Sequence, residues 1–213
     1  MKNLFFISIA IFCSGCSRYI LIERSERFVS RDAITQKIIC IDPQVRLLTY
    51  RPSDLQEADE LEQWLKEELR YSAAKNNVNL EILDLGPGSS NGYYQDLLSL
   101  KNEFLQANNL QNTPLNFSET PGFNSIKKSV FVYPPLIAHD FTSLAKEYGT
   151  PYFSYIGIYK QAGKILYYHL IVNTNTAETV YRELKSVSKG TLKKKMISQL
   201  AYDSMAMLKE ELK

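Results

Sequence analysis

Histidine and cysteine are scarce in this 213-residue chain: it has two histidines, His139 and His169, and three cysteines. No cysteine pair lies beyond residue 16 and no histidine pair stands at helical separation, so no metal-ligand spacing is present and no metal or other cofactor is expected. Cys40 is the only cysteine after Cys16, which leaves no partner for an internal disulfide. Its neighbours Ile38, Ile39 and Ile41 predict a buried small hydrophobe rather than a reactive thiol. Neither sign of charge dominates, with 25 Lys plus Arg against 23 Asp plus Glu. Nucleic-acid binding needs a concentrated basic field, so no nucleic-acid partner is expected.

The first sixteen residues carry the strongest local signal. Lys2 gives a basic start, Leu4 to Phe12 form an apolar run broken only by Ser8, and Cys13-Ser14-Gly15-Cys16 ends it. A spanning helix needs roughly 20 apolar residues, which this run does not approach; it reads as a secretory signal over 1–15. The segment resembles a bacterial lipoprotein signal peptide, with Cys13 where that family's box usually has leucine. The resemblance implies a diacylglyceryl thioether and an N-acyl group on Cys16, making membrane lipid the first partner. At about 0.8 kcal/mol per buried methylene, several acyl chains hold far better than one. An ordinary signal peptide cut nearby is the alternative. Ser17, rather than aspartate, follows the cysteine, which in enterobacterial lipoproteins points to the outer membrane.

Cleavage there leaves about 200 residues, room for one substantial core. Residues 16–35 mix Arg18, Glu23, Arg24, Glu26, Arg27 and Arg31 with scattered apolar residues and read as a lipidated N-terminus and tether, with a strand at Tyr19 to Ile22 left open. A single globular domain is expected over 36–213. Lys37 to Ile41 and Val45 to Tyr50 read as strands separated by an Asp42-Pro43 turn. Ser53 and Gln56 have capping-box spacing ahead of Leu55, Ala58, Leu61, Leu65 and Leu69, which share one helical face widened by Trp64. That helix should end near Asn76-Asn77. Val78, Leu80 and Ile82 then alternate as a strand; because Leu83 and Leu85 change phase, either a bulge intervenes or the strand's end is covered on both sides.

After the turn-rich loop Gly86 to Gly92, Tyr94, Leu97, Leu98, Phe104 and Leu105 keep helical spacing. Leu110 to Lys128 is a long loop without sustained alternation. Ser129 to Tyr133 reads as a strand. Asp140 is the expected N-cap and Gly149 the C-cap of a short helix that Pro151 cannot continue. Tyr152 to Lys160, Ile165 to Val172 and Thr179 to Val187 predict an antiparallel meander. From Thr191, Leu192, Met196, Leu200, Leu208 and Leu212 are spaced in fours with Ser204 the one gap, which predicts a terminal helix. The fold class is α/β (α+β): a mixed sheet with a C-terminal antiparallel meander, flanked by about four helices.

Two stretches carry a second resemblance: Leu144-Ala145-Lys146-Glu147-Tyr148-Gly149-Thr150-Pro151-Tyr152, and Thr174-Asn175-Thr176-Ala177-Glu178-Thr179-Val180-Tyr181. They look like the helix-Gly-x-x-Tyr-strand and Thr-Gly-Glu-x-Val-Tyr patterns of small envelope lipoproteins. That group includes the curli secretion channel lipoprotein, the penicillin-binding-protein activator lipoprotein and the TolB amino-terminal domain. Pro151 stands where the group often has aspartate, and Ala177 where it often has glycine. The resemblance covers Asp140 to Ser188 and implies a periplasm-facing module that binds envelope proteins, sometimes oligomerises, and brings no catalytic residues.

His139 beside Asp140 lacks a serine or cysteine motif, and Asp140 is better used as a cap. His169 falls inside a strand. Gly86 to Gly92 lacks the Lys-Ser/Thr ending of a phosphate loop. Glu81 and Asp84 point to opposite faces of a regular strand. Lys185, Lys189 and Lys193 to Lys195 read first as a solvated helix start, and otherwise as a contact for anionic headgroups or envelope polymers. Tyr152, Tyr155, Tyr159, Tyr167 and Tyr168 cluster on two neighbouring strands and are the candidate interaction surface, with packing beneath helices the alternative. The resulting expectation is a non-enzymatic, lipid-anchored protein that docks an unidentified envelope protein, with homo-oligomerisation open. The alternatives are an envelope hydrolase using His139 and Asp140, or a peptide- or glycan-binding lipoprotein.

Overall fold

A computed structural model of the chain describes residues 18–24, 37–47, 53–86, 92–107, 127–130, 139–161, 164–188 and 191–211. Cys16, the 1–15 signal and most of the 110–128 loop lie outside the described residues. The strands are β1 (Arg18–Arg24), β2 (Ile38–Ile41), β3 (Gln44–Leu47), β4 (Leu80–Leu83), β5 (Lys127–Val130), β6 (Tyr152–Gln161), β7 (Lys164–Asn173) and β8 (Glu178–Ser188). The helices are α1 (Ser53–Asn76), α2 (Tyr94–Ala107), α3 (Thr142–Tyr148) and α4 (Lys194–Glu211).

The eight strands make one mixed sheet in the order β4-β2-β6-β7-β8-β1-β5, with β3 also pairing β6. The meander β6-β7-β8 is antiparallel, β1 joins β8 antiparallel, and β2, β3 and β4 run parallel to their neighbours. Parallel neighbours need a crossover connection, and α1 supplies it between β2 and β4. Residues 18–24 are therefore a member of the sheet, not a tether. The strand left open at Tyr19 to Ile22 extends one residue before and two after those bounds.

Asp42-Pro43 does not reverse the chain. Ile39 and Cys40 pair with Phe153 and Ser154, whereas Gln44 and Val45 pair with Gly157 and Ile158. The offset changes by one residue, so β2 and β3 form a kinked line along β6 with one extra residue between them, as in a bulge. Asp42 takes a positive φ of 42° there, a conformation that aspartate tolerates better than most residues.

Helices cover both faces of the sheet. Leu61, Leu65, Leu69 and Ala73 of α1 and Ile197, Leu200, Ala201, Met205 and Leu208 of α4 pack on Ile156, Ile158, Tyr167, Ile171 and Tyr181. On the opposite face Leu97, Leu100 and Phe104 of α2 and Leu144 of α3 pack on Phe153, Tyr155, Leu166, Tyr168 and Leu184. A strand sandwiched in this way buries consecutive residues, and β7 is buried from Ile165 through Val172. Truncating a fully buried leucine such as Leu65 in such a layer costs about 2–5 kcal/mol.

α1 and α4 run in the same direction. Trp64 Nε1 donates to Ser198 Oγ at 3.2 Å, and Lys75 lies over the Tyr202 ring at 4.9 Å. Leu55 departs from the expected helical face: it is 71% exposed in the first turn of α1. α1 ends at Asn76, where Asn77 takes φ 58° and Val78 N donates to Ala73 O. β4 keeps an unbroken register with β2, and Leu80 and Ile82 pack on one core while Leu83 and Leu85 join the other. Coverage on both sides, not a bulge, explains the phase change. Of the strand expected over Ser129 to Tyr133, Ser129 and Val130 belong to β5, which begins two residues earlier, and 131–133 lie outside the described residues.

Candidate functional site

Two polar assemblies lie beneath the helices, a buried one under α4 and a partly buried one under α2. Under α4, His169 of β7 stands opposite Glu183 of β8 in the register. Ser204 Oγ donates to Glu183 Oε2 at 2.5 Å and lies 2.9 Å from His169 Nδ1. A hydroxyl has one proton, so with that proton on Glu183 it accepts from His169 Nδ1–H. Lys185 Nζ lies 2.6 Å from Glu183 Oε1, and Tyr181 OH donates to Glu183 Oε2 at 3.4 Å. His169, Glu183 and Ser204 are fully buried. Burial, with a smaller contribution from the positive Lys185, pushes the His169 imidazole down to about 3 and keeps it neutral.

The chemistry of this group differs from that of a catalytic triad. There the acid orients the histidine and the histidine takes the serine proton; here the serine proton already belongs to the carboxylate. With Nδ1 protonated, His169 Nε2 is the ring's acceptor nitrogen, and it has no hydrogen-bond partner among the described residues. The arrangement pins α4 to the sheet through Ser204, the residue that interrupts the spacing of apolar side chains on that helix.

The second assembly lies at the β2–β3 kink, beneath α2. Lys101 Nζ donates to Asp42 Oδ2 at 2.7 Å, and Gln44 Nε2 donates to the same oxygen at 3.1 Å. Gln44 Oε1 accepts from Tyr155 OH at 3.3 Å, and Tyr155 and Tyr159 share a 2.8 Å hydrogen bond. Lys101 also lies 5.2 Å from the Tyr155 ring centroid. Burial pulls the Lys101 ammonium below its ordinary value, against the attraction of Asp42. Burial, followed by the neighbouring Tyr159, raises the Tyr155 phenol. Gly157 makes the tyrosine pair fit: a Cβ there would stand 2.9 Å from Tyr159 Cε2 and 3.1 Å from Tyr155 Oη.

The five tyrosines proposed as a surface are interior. Tyr152, Tyr155, Tyr159, Tyr167 and Tyr168 are exposed by 6% or less, because helices cover both faces of the strands that carry them. They pack under helices and offer no docking face on this chain. Cys40 is also fully buried, and desolvation pushes its thiol up to about 12.

The other candidates separate. His139 is exposed, and both its backbone N–H and its Nδ1 meet Glu103. Asp140 Oδ1 accepts from Thr142 N at 2.9 Å, so it caps α3 from one position earlier than expected, with Phe141 between them. This hydrogen bond lowers the Asp140 carboxyl below its usual range. Gly149 ends α3 at φ 66°, as its place in the sequence predicts. Glu81 pairs with Lys37 at 3.0 Å, whereas Asp84 pairs with Lys66 at 3.1 Å, so the structure does not bring these carboxylates together. Burial alone would lower the Lys66 ammonium, but the hydrogen bonds it donates to Glu62 and Asp84 outweigh it and raise the group. Among the described residues no cluster of His, Cys, Asp or Glu has the makings of a metal site, and no helix is long and apolar enough to cross a membrane.

No protein-family model matches the chain, and no curated protein matches it in sequence. In three dimensions it is similar to a PelC dodecamer from Paraburkholderia phytofirmans at 10% identity and a TM-score of 0.38, over 93% of this chain and 97% of that one. It is similar to lipoprotein GNA1162 from Neisseria meningitidis at 9% identity and a TM-score of 0.35, over 83% and 99%. The LpoB C-terminal domain from Salmonella enterica aligns at 13% identity and a TM-score of 0.31, over 71% and 82%. At superpositions this loose, none of the three carries an argument about what this chain does.

Proposed function

We propose that this chain is a lipid-anchored protein of the bacterial envelope, facing the periplasm and probing no substrate of its own, whose folded part docks an envelope protein or complex. The observation that carries the reading is the order Lys2, the apolar run Leu4 to Phe12, and Cys16 at its end. Acylation of Cys16 would fix the chain to the membrane, with the outer membrane favoured by Ser17. The role is an accessory one in assembly, secretion or envelope maintenance.

The burial of the assembly under α4 supports a non-enzymatic role. His169, Ser204 and Glu183 have the residue types of an acyl-transfer site, yet all three are fully buried. The exposed His139 is engaged by Glu103 instead of by a nucleophile. Among the described residues the docking face is left to the exposed helix surfaces, since helices cover both faces of the sheet.

Crosslinking in intact envelopes, followed by affinity recovery, tests the docking half of the reading. A crosslinked partner retained through mild detergent is the expected result; the domain recovered alone after crosslinking would count decisively against it.

A further inference from the structure

Resting on the lipid-anchor reading, we infer that the cleft between α4 and the end of β8 binds the anionic headgroup of a phospholipid in the membrane that holds Cys16. The cleft has a volume of about 460 Å³, within the roughly 300–1,000 Å³ range of small-molecule sites. Val187, Met196 and Leu200 give it apolar walls, while Lys193 and Lys195 bring exposed ammonium groups and Thr191 a hydroxyl.

Its position follows from register. Arg18, the first residue of β1, pairs with Val187, which lines the cleft. Cys16 precedes Arg18 by two residues, so their Cα atoms are separated by at most about 7 Å. Paired residues of antiparallel strands add about 5 Å, which leaves the anchor Cα within about 12 Å of the Val187 backbone. The headgroup region on each side of a bilayer is itself about 5–7 Å deep. An acylated Cys16 therefore brings this end of the sheet to headgroup level and leaves no long spacer to hold it away.

The charges at this end suit an anion. Lys193 precedes α4 and Lys194 and Lys195 begin it, and the first turn contains no acidic residue. Cations at a helix N-terminus oppose the helix dipole, so these positions run against the helix's own preference. Lys194 lies over the Trp64 ring at 4.7 Å, which leaves Lys193 and Lys195 to the cleft. Lys185 also lines it, with its charge met by Glu183. Among the described residues Asp203 is the one carboxylate in the lining, and Gln199 Nε2 donates to it at 2.6 Å. Lys160 and Lys164 stand at the same end, since Lys164 pairs with Ser188 and Lys160 with Ile165, itself the partner of Val187. The exposed carboxylates Glu57, Asp59 and Glu60 belong to the start of the parallel helix α1, and none lines the cleft. Basic residues so near an anchor act as the second signal that strengthens membrane residence.

The test uses the lipidated full-length product, purified from membranes and reconstituted into phosphatidylcholine vesicles with or without phosphatidylglycerol. Hydrogen exchange is followed for the segment 185–196, and vesicle flotation is read on the same samples. The expected result is exchange slowed about tenfold or more in phosphatidylglycerol vesicles only, lost in high salt and lost in the Lys193→Gln/Lys195→Gln variant, which still floats. Equal exchange in both vesicle types overturns the headgroup site. Equal slowing by free glycerol phosphate over phosphatidylcholine vesicles also overturns it, since the cleft would then be a soluble-anion site. Failure to float is a separate result that speaks against the anchor, and circular dichroism confirms that the variant is folded.

Discussion

His169 and Glu183 face each other as register partners on β7 and β8, and Ser204 of α4 closes the space between them. The relationship gives the molecule a pH dependence of defined sign. The His169 value of about 3 lies below the roughly 6.5 of an unfolded histidine. As pH falls, the unfolded chain takes up this proton near 6.5 while the folded chain does not, so stability is complete above that pH and declines below it. Between pH 6.5 and 5 the loss should be about 2 kcal/mol. Urea unfolding at the two pH values should show this slope in the natural chain and a smaller one in His169→Gln; equal slopes would remove the assignment.

Lys101 and Asp42 make the counterpart under α2. Replacing Lys101 by Met strands the Asp42 carboxylate in a largely buried position, at a cost of about 3–5 kcal/mol. Adding Asp42→Asn should recover a good part of this, because the charge is removed and asparagine accepts the positive φ at that position. A double-mutant cycle by chemical denaturation measures the recovery, and strictly additive losses would contradict the pairing.

Gly157 is the space the tyrosine pair requires. Gly157→Ala should destabilise by about 1–3 kcal/mol, since the added carbon meets Tyr159 and Tyr155 and both rings are buried. Alanine is otherwise the better strand residue, so an unchanged or raised melting temperature would show that the packing is looser than this.

Ala177 pairs a non-glycine residue with φ 56° in the turn before β8. The left-handed conformation costs an L-residue about 1–2 kcal/mol, part of which glycine repays in chain entropy when the protein unfolds. Ala177→Gly should therefore raise stability by up to about 1 kcal/mol. Thermal unfolding reads the sign, and a lowered midpoint would contradict the strain.

Much of the fold was legible because local rules and tertiary packing agree. Gly149 and Pro151 end α3 where backbone chemistry requires it, and the meander lies within a residue or two of its expected limits. Aromatic residues were harder to place. Consecutive buried residues such as Tyr167 and Tyr168 read alike on a covered strand and on a sticky surface, and only the helices on both faces decide between them. Asp42-Pro43 was misread for a related reason: turn residues also serve a bulge, and the register along β6 is a non-local fact. The Ser204 gap in the α4 spacing was a visible clue to a polar contact, but its partners lie 21 and 35 residues away in sequence.

Acylation of Cys16 is the central claim, and metabolic labelling with a fatty acid tests it most directly. The natural chain should carry label through organic extraction and float with the membranes, while Cys16→Ala should carry none. An unlabelled natural chain, or label undiminished in Cys16→Ala, would contradict the anchor.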